Sequence, residues 1–194
     1  MGSGRTGQAV EVKVRSLPPP TPRPAHAQPR FQELFEAHGS YVWTALRRLG
    51  ARPSELEDLT HDVFLQVFRH LDEYDPERPL KPWLFAFAFR VASQDRRRLR
   101  RRPEVVTDQV EALDLSPSPV EQLLAEERRN LARAALDELE LNRRAVFILH
   151  DLDGISVPEI ALSLGLPLAT AYSRLRLARE DFARITHRLR SRQR

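Results

Sequence analysis

"DLDGISVPEIALSLGLPLATAYSRLRLAR" (151–179) sets two helix-forming stretches on either side of a glycine, and how they fold decides the class of the chain. Ser156 and Glu159 have the S-x-x-E spacing of a capping box, in which each residue satisfies a backbone donor at a helix N-terminus. Ile155 and Ile160 occupy the flanking positions of a hydrophobic staple, and Pro158 lies in the first turn, where a missing N–H costs little. Gly165 stands where a left-handed residue is wanted to stop this short helix, and Pro167 restarts helix formation. In the second stretch Leu168, Ala171, Leu175 and Ala178 form a narrow apolar stripe whose small residues allow close packing. Thr170, Ser173, Arg174 and Arg176 form the other face, with Tyr172 beside them. Two readings fit. One is a helix-turn-helix offering hydroxyl and guanidinium groups to base edges and phosphates. The other is a plain helical hairpin with a solvated basic face.

Upstream of this stretch the text is helical nearly throughout. Phe31, Leu34, Phe35, Val42 and Leu46 recur on one face until "GARP" (50–53) ends the segment. Ser54 and Glu57 repeat the capping-box spacing, and Leu56, Leu59, Val63, Phe64, Val67, Phe68 and Leu71 make a wide apolar stripe behind them. "YDPERPLKP" (74–82) breaks that helix, because a proline disfavours helix at the residue before it. A third helix begins near Trp83, is apolar nearly all round to Arg90, and ends in "RRRLRRR" (96–102). "PEVVTDQVEALDLSPSP" (103–119) lacks helical periodicity and reads as a linker, with further helices expected over 120–138 and 141–150. The fold expected is all-α: two small helical domains, 31–102 and 120–194, joined by a flexible linker, the second containing the helix-turn-helix. Residues 1–30 hold six of the fifteen prolines and read as a disordered tail, a strand at "VEVKV" (10–14) having no visible partner.

Composition narrows the function classes. With 41% hydrophobic and 30% charged residues, the 194-residue chain suits a soluble protein with modest cores. The absence of cysteine excludes disulfides, thiol nucleophiles and cysteine-ligated zinc. The longest apolar run, "WLFAFAF" (83–89), falls short of the roughly 20 residues a membrane span needs. No signal-peptide core opens the chain, so a cytoplasmic protein is expected. A net charge of +4 points weakly to an anionic partner, since placement matters more than sum.

The residues carry a family resemblance. Gly154, Ser156, Glu159, Ile160, Ala161, Leu164, Gly165, Pro167, Thr170, Ser173, Arg174, Leu175, Ala178 and Arg179 match the pattern of region 4 of the extracytoplasmic-function (ECF) sigma factors of bacterial RNA polymerase. "SELEDLTHDVFLQVFRHLDEYDPERPLKPWLFAFAFRVASQDRRRLRRR" (54–102) is similar to region 2 of the same family, in the right order and with a linker between. The resemblance implies a dissociable promoter-specificity subunit that binds core RNA polymerase through the β′ clamp and β flap. Region 2 would open the −10 element and region 4 would read the −35 element. No catalytic residue, cofactor or metal is implied, and an anti-sigma factor is a common partner in the family.

Residue roles follow by the same resemblance. The acidic stripe Asp58, Asp62 and Gln66 would dock on the β′ coiled coil, although taken alone it reads first as a solvated face. Contacts at −10 would fall on Tyr74, Asp75, Arg78, Lys81, Arg90, Arg96, Arg97 and Arg98, with the 74–80 loop holding a flipped base and Trp83 kept for the core. The arginine cluster can hold phosphates without reading sequence, or it is a frayed helix end. Contacts at −35 would fall on Thr170, Tyr172, Ser173, Arg174, Arg176 and Arg179; read as lying opposite the Leu168–Ala171–Leu175–Ala178 stripe, Thr170, Ser173 and Arg174 are expected nearest the bases, with Arg176 and Arg179, further round or further along, on phosphates. The sequence departs from the family at Ala86, Phe89, Arg90 and Gln94, at His61 where glutamine is frequent, and at Tyr172 where lysine is frequent. Two rivals are a helix-turn-helix regulator that never joins polymerase and a metal phosphohydrolase built on His61–Asp62 and His150–Asp151. The first has no use for residues 31–102, and the second lacks partner ligands.

Overall fold

The computed structural model describes residues 27–101 and 119–192, with side chains described over 31–101 and 126–192. The 10–14 segment, Arg102 and all but the last residue of the expected linker lie outside the described residues, as does the expected tail up to residue 26. Seven α-helices run through the described residues: α1 Ala27–Leu49, α2 Leu56–Arg69, α3 Leu80–Arg101, α4 Pro119–Glu138, α5 Leu141–Phe147, α6 Val157–Ser163 and α7 Leu168–Arg192. Helix α1 thus starts inside the segment read as tail. Pro29 is no obstacle there, because it falls in the first turn, where no intrahelical N–H bond is lost.

Helices α1 to α3 form the first half. A Schellman closure ends α1: Gly50, at φ +92°, donates to Arg47 O at 3.1 Å, and Ala51 N donates to Leu46 O at 3.0 Å. Entry to α2 departs from the sequence expectation, for no box forms between Ser54 and Glu57. Pro53–Glu55 instead make a 3₁₀ turn whose carbonyl at Pro53 takes the Leu56 N–H, and Glu55 precedes α2 without a side-chain cap. Arg52 pairs with Glu55 and holds that turn. The stripe predicted for α2 is buried at Leu56, Leu59, Val63, Phe64 and Val67. It meets Val42, Leu46 and Leu49 of α1 and Leu84, Phe85, Ala88 and Val91 of α3. Each fully buried leucine or phenylalanine here contributes about 1.5–3 kcal/mol. Helix α3 starts three residues before Trp83, because Pro82 is tolerated in a first turn.

Helices α4 to α7 form the second half, with α7 packed on α4, α5 and α6. Glu140 caps α5 by accepting from the Asn142 and Arg143 amides at 3.0 and 3.2 Å, and a π-helical turn, Ile148–Leu152, follows α5 directly. The capping box of α6 is complete: Glu159 N–H donates to Ser156 Oγ at 3.4 Å and Ser156 N–H to Glu159 Oε2 at 3.2 Å. A second Schellman closure at Gly165, φ +65°, turns the chain from α6 into α7, with Leu166 N donating to Ala161 O at 2.8 Å.

The two halves also pack on each other, α1 against α4 and α5 and α3 against α6, so that their apolar residues join one cluster. Arg144 of α5 is buried at this seam, 2% exposed, donating to Asp137 Oδ1 at 3.2 Å and to the Leu139 carbonyl at 3.3 Å.

Candidate protein and nucleic-acid interfaces

On α2 the face opposite the core carries Asp58, His61, Asp62, Leu65 and Arg69, all exposed, while Gln66 is half-buried. A spacing of four drifts about 40° per step around a helix, which is why Gln66 turns inward from the Asp58–Asp62 line. Leu65, 41% exposed, stands between the acidic pair and Arg69 on this face. Sequence reasoning passed over it; the available signal was an apolar residue off the buried stripe.

Between α2 and α3 the aromatic side chains form a ladder. His70 stacks on Phe87 at 5.8 Å, Phe87 meets Trp83 edge-on at 4.9 Å, and Trp83 meets Tyr74 at 4.9 Å. Arg90 lies over the Phe87 ring at 5.2 Å. Trp83 is therefore half-buried between core and loop rather than wholly core. The 74–80 loop is ordered from within: Tyr74 Oη donates to Arg78 O at 2.6 Å, Glu77 N to Asp75 Oδ1 at 3.1 Å, and Arg78 Nε pairs with Asp75 at 3.3 Å. Burial, with the Asp75 charge second, pushes the Tyr74 hydroxyl above its ordinary pKa, so it stays a neutral donor. Lys81 reaches the other way, over the Tyr41 ring at 5.6 Å. Of the positions that depart from the family, Ala86 is buried, Phe89 half-buried, and Arg90 and Gln94 exposed.

Along the C-terminal turns of α3, Arg97, Arg98, Arg100 and Arg101 are exposed and Arg96 is half-buried toward Asp137 and Arg144. Asp95 lies under this cluster. Burial and the hydrogen-bonded Glu55 carboxyl raise its pKa.

Helix α7 presents the helix-turn-helix face. Ala171, Leu175 and Ala178 are buried as the stripe requires, but Leu168 is 46% exposed, because it sits in the first turn beyond the reach of α6. At about 100° per residue, Arg174 stands only about 60° from the centre of the stripe, whereas Ser173 and Arg176 stand nearly opposite it. Burial agrees: Thr170 and Arg174 are half-buried, and Tyr172, Ser173, Arg176 and Arg179 are exposed. The outward face is therefore rotated from the one expected, toward Tyr172, Ser173 and Arg176. Carboxylates hold both outward arginines. Arg176 Nη1 donates to Glu180 at 2.6 Å, and Arg179 grips Asp151 of the π-helical turn through Nε at 3.0 Å and through Nη2. The bond from Asp151 raises the Arg179 pKa further.

Among the described residues no three His, Cys, Asp or Glu side chains gather as a metal site, and no helix is long and apolar enough to cross a membrane. His61 and Asp62 face outward on α2, and His150 Nδ1 engages the Ile155 carbonyl at 2.8 Å.

Two families match along the chain, Sigma-70 region 2 over residues 34–102 and Sigma-70 region 4 over residues 129–182. RNA polymerase sigma factor CnrH of Cupriavidus metallidurans is 31% identical, over 81% of this chain and 87% of its own length. The chain belongs to the ECF RNA polymerase sigma factors. ECF RNA polymerase sigma factor SigE of Mycolicibacterium smegmatis is also 31% identical, over 80% of this chain, which spans 61% of that relative's length. Among solved structures, CnrH in complex with the cytosolic domain of CnrY aligns over 83% of this chain and 92% of that one, at 26% identity and a TM-score of 0.54. The sigma factor RpoE of Bartonella quintana, in complex with the anti-sigma factor NepR, aligns over 80% of this chain and 96% of that one at 22% identity and a TM-score of 0.60, a likeness of fold. The first half of this sigma factor, α1 to α3, thus falls in region 2, and α4 to α7 supply region 4.

Proposed function

We propose that this chain is a dissociable, non-enzymatic specificity subunit that joins core RNA polymerase in the cytoplasm and directs initiation at its own promoters. The observation that carries this reading is the pairing, in one chain and in order, of a region 2 helix set with a region 4 helix-turn-helix whose outward face is basic and polar. A regulator that only bound DNA would need the second and not the first.

The division of labour follows the exposed faces. Asp58, Asp62 and Leu65 dock on the polymerase clamp, an apolar contact ringed by charge, as interface cores are built. The 74–80 loop and the Tyr74–Trp83–Phe87 ladder receive an unstacked base of the −10 element, where aromatic stacking contributes about 1–3 kcal/mol per base. Arg90, Arg97 and Arg98 hold backbone phosphates beside it. Tyr172, Ser173 and Arg176 of α7 face the −35 bases, and Arg179, fixed by Asp151, meets a phosphate. An anti-sigma protein is part of the reading, because a sigma factor of similar fold is found with such a partner. Capture by core polymerase, followed by run-off transcription from a promoter library, tests the whole assignment. A chain that binds a specific duplex but never core enzyme would move the reading to a stand-alone regulator.

A further inference from the structure

Apolar surface is left uncovered at the entrance of α7. Leu168 is 46% exposed and Tyr172, four residues on, is 53% exposed, and Arg176 and Glu180 continue the same row along the helix. Side chains at that spacing are surface neighbours, so the row is apolar in its first turns and charged beyond them. Its charged part is satisfied internally, Arg176 donating to Glu180 at 2.6 Å. Among the described residues the Tyr172 ring packs on no other ring and its hydroxyl meets no partner. Beside the row a cleft of about 600 Å³ opens between α7 and the start of α6. Val157 and Leu175, both buried, form its floor, and the exposed Tyr172 and Arg176 stand on its rim.

Position along the helix says what this surface meets. A recognition helix reaches base edges with its N-terminal residues, and Leu168 is the first residue of α7. In the major groove those edges offer hydrogen-bonding atoms and one apolar group, the C5-methyl of thymine. A leucine side chain and an aromatic ring gain nothing from a base nitrogen or carbonyl, but they remove a methyl group from water. Tyr172 and Arg176 are about 6 Å apart along the helix axis, about two base pairs at 3.4 Å each.

We propose that Leu168 and Tyr172 form a methyl-reading pair, which seats the C5-methyl of one thymine of the −35 element within about two base pairs of the base read by Arg176. The inference rests on the sigma-factor reading and deepens it, adding to a basic and polar face a preference that no hydrogen bond supplies. Losing one such methyl contact weakens binding about fourfold, the worth of one buried carbon group.

Deoxyuridine in place of thymidine deletes that methyl and leaves every hydrogen-bonding atom of the base in place. The full chain with core RNA polymerase is titrated by fluorescence anisotropy against a promoter duplex recovered by run-off transcription, each thymine of the −35 element on either strand being replaced in turn. One position should bind about fourfold more weakly as deoxyuridine, with little change at the others. In Tyr172→Ala the difference between thymidine and deoxyuridine at that position should disappear. Leu168→Ala should reduce it in part, and Tyr172→Phe, which keeps the ring, should preserve it. A tyrosine that only supported α7 would, once removed, weaken both duplexes alike and leave their ratio unchanged. That result would overturn the inference, as would a methyl effect lost in Tyr172→Phe, which would assign the contact to the hydroxyl. Specific promoter binding indifferent to every methyl would sink this inference alone, whereas a chain that never binds core polymerase would sink the sigma-factor reading with it.

Discussion

Arg176→Ala is the most discriminating substitution on α7. The side chain is 65% exposed, nearly opposite the Ala171–Leu175–Ala178 stripe, and in the free protein it is held by Glu180 at 2.6 Å. Such an exposed i, i+4 pair is worth about 0.3–0.5 kcal/mol, so drawing Arg176 away to DNA costs little. A base contact by arginine is worth about 1–3 kcal/mol. The net loss on binding should then be about 0.6–2.6 kcal/mol, about 3- to 70-fold, concentrated at one or two −35 positions. Arg174→Ala is the internal control. Half-buried and about 60° from the stripe, it should leave base preference alone and change affinity or stability modestly. The assay is fluorescence anisotropy against duplexes carrying each single base change in a −35 element recovered by run-off transcription. If Arg176→Ala weakened every duplex equally while Arg174→Ala changed the preferred base, the outward face would have been placed on the wrong side of α7.

Four further substitutions test other parts of the account. Asp58→Arg should reduce core polymerase affinity by about a hundredfold or more through like-charge repulsion at the clamp, with far-UV circular dichroism unchanged, because Asp58 is exposed. Arg97→Gln should lower promoter affinity for all sequences alike and reduce the salt slope by about 0.9 in a titration of binding against salt. Ser156→Ala removes one bond of the α6 capping box and should cost about 1 kcal/mol, a fall of about 2–4 °C in the melting temperature. Asp95, whose folded pKa is raised, withdraws stability as pH rises through that pKa and imposes no penalty below its unfolded pKa. Asp95→Asn should therefore raise the melting temperature at neutral pH and lose that advantage at acid pH.

Local chemistry made most of the fold legible. The Ser156–Glu159 box, the glycines at 50 and 165 and the α2 stripe from Leu56 to Val67 each have a short-range cause and are found where they were read, whereas Leu71 falls in a 3₁₀ turn beyond the end of α2 at Arg69. Ser54 failed because Pro53 offered a competing 3₁₀ turn, a choice that the S-x-x-E spacing does not encode. The start of α1 failed because a proline-rich composition hid a proline that suits a first turn. Helix rotation was the weak point in the interfaces. Spacings of four put Gln66 on the acidic line, and Arg174 was set opposite the Leu168–Ala178 stripe, although at 3.6 residues per turn both side chains turn toward the protein and are half-buried. Long-range contacts such as Tyr41 with Asp153, and Arg144 beneath Gly50, have no local signature, so the packing of the two halves was not legible at all.

Reconstituted transcription tests the central claim most directly. Purified chain added to core RNA polymerase should yield run-off transcripts from library templates that share a −35 and a −10 element at fixed spacing. Scrambling either element should abolish the product, and core enzyme alone should give none. Specific duplex binding without any polymerase-dependent transcript, or transcripts indifferent to both elements, would contradict the account.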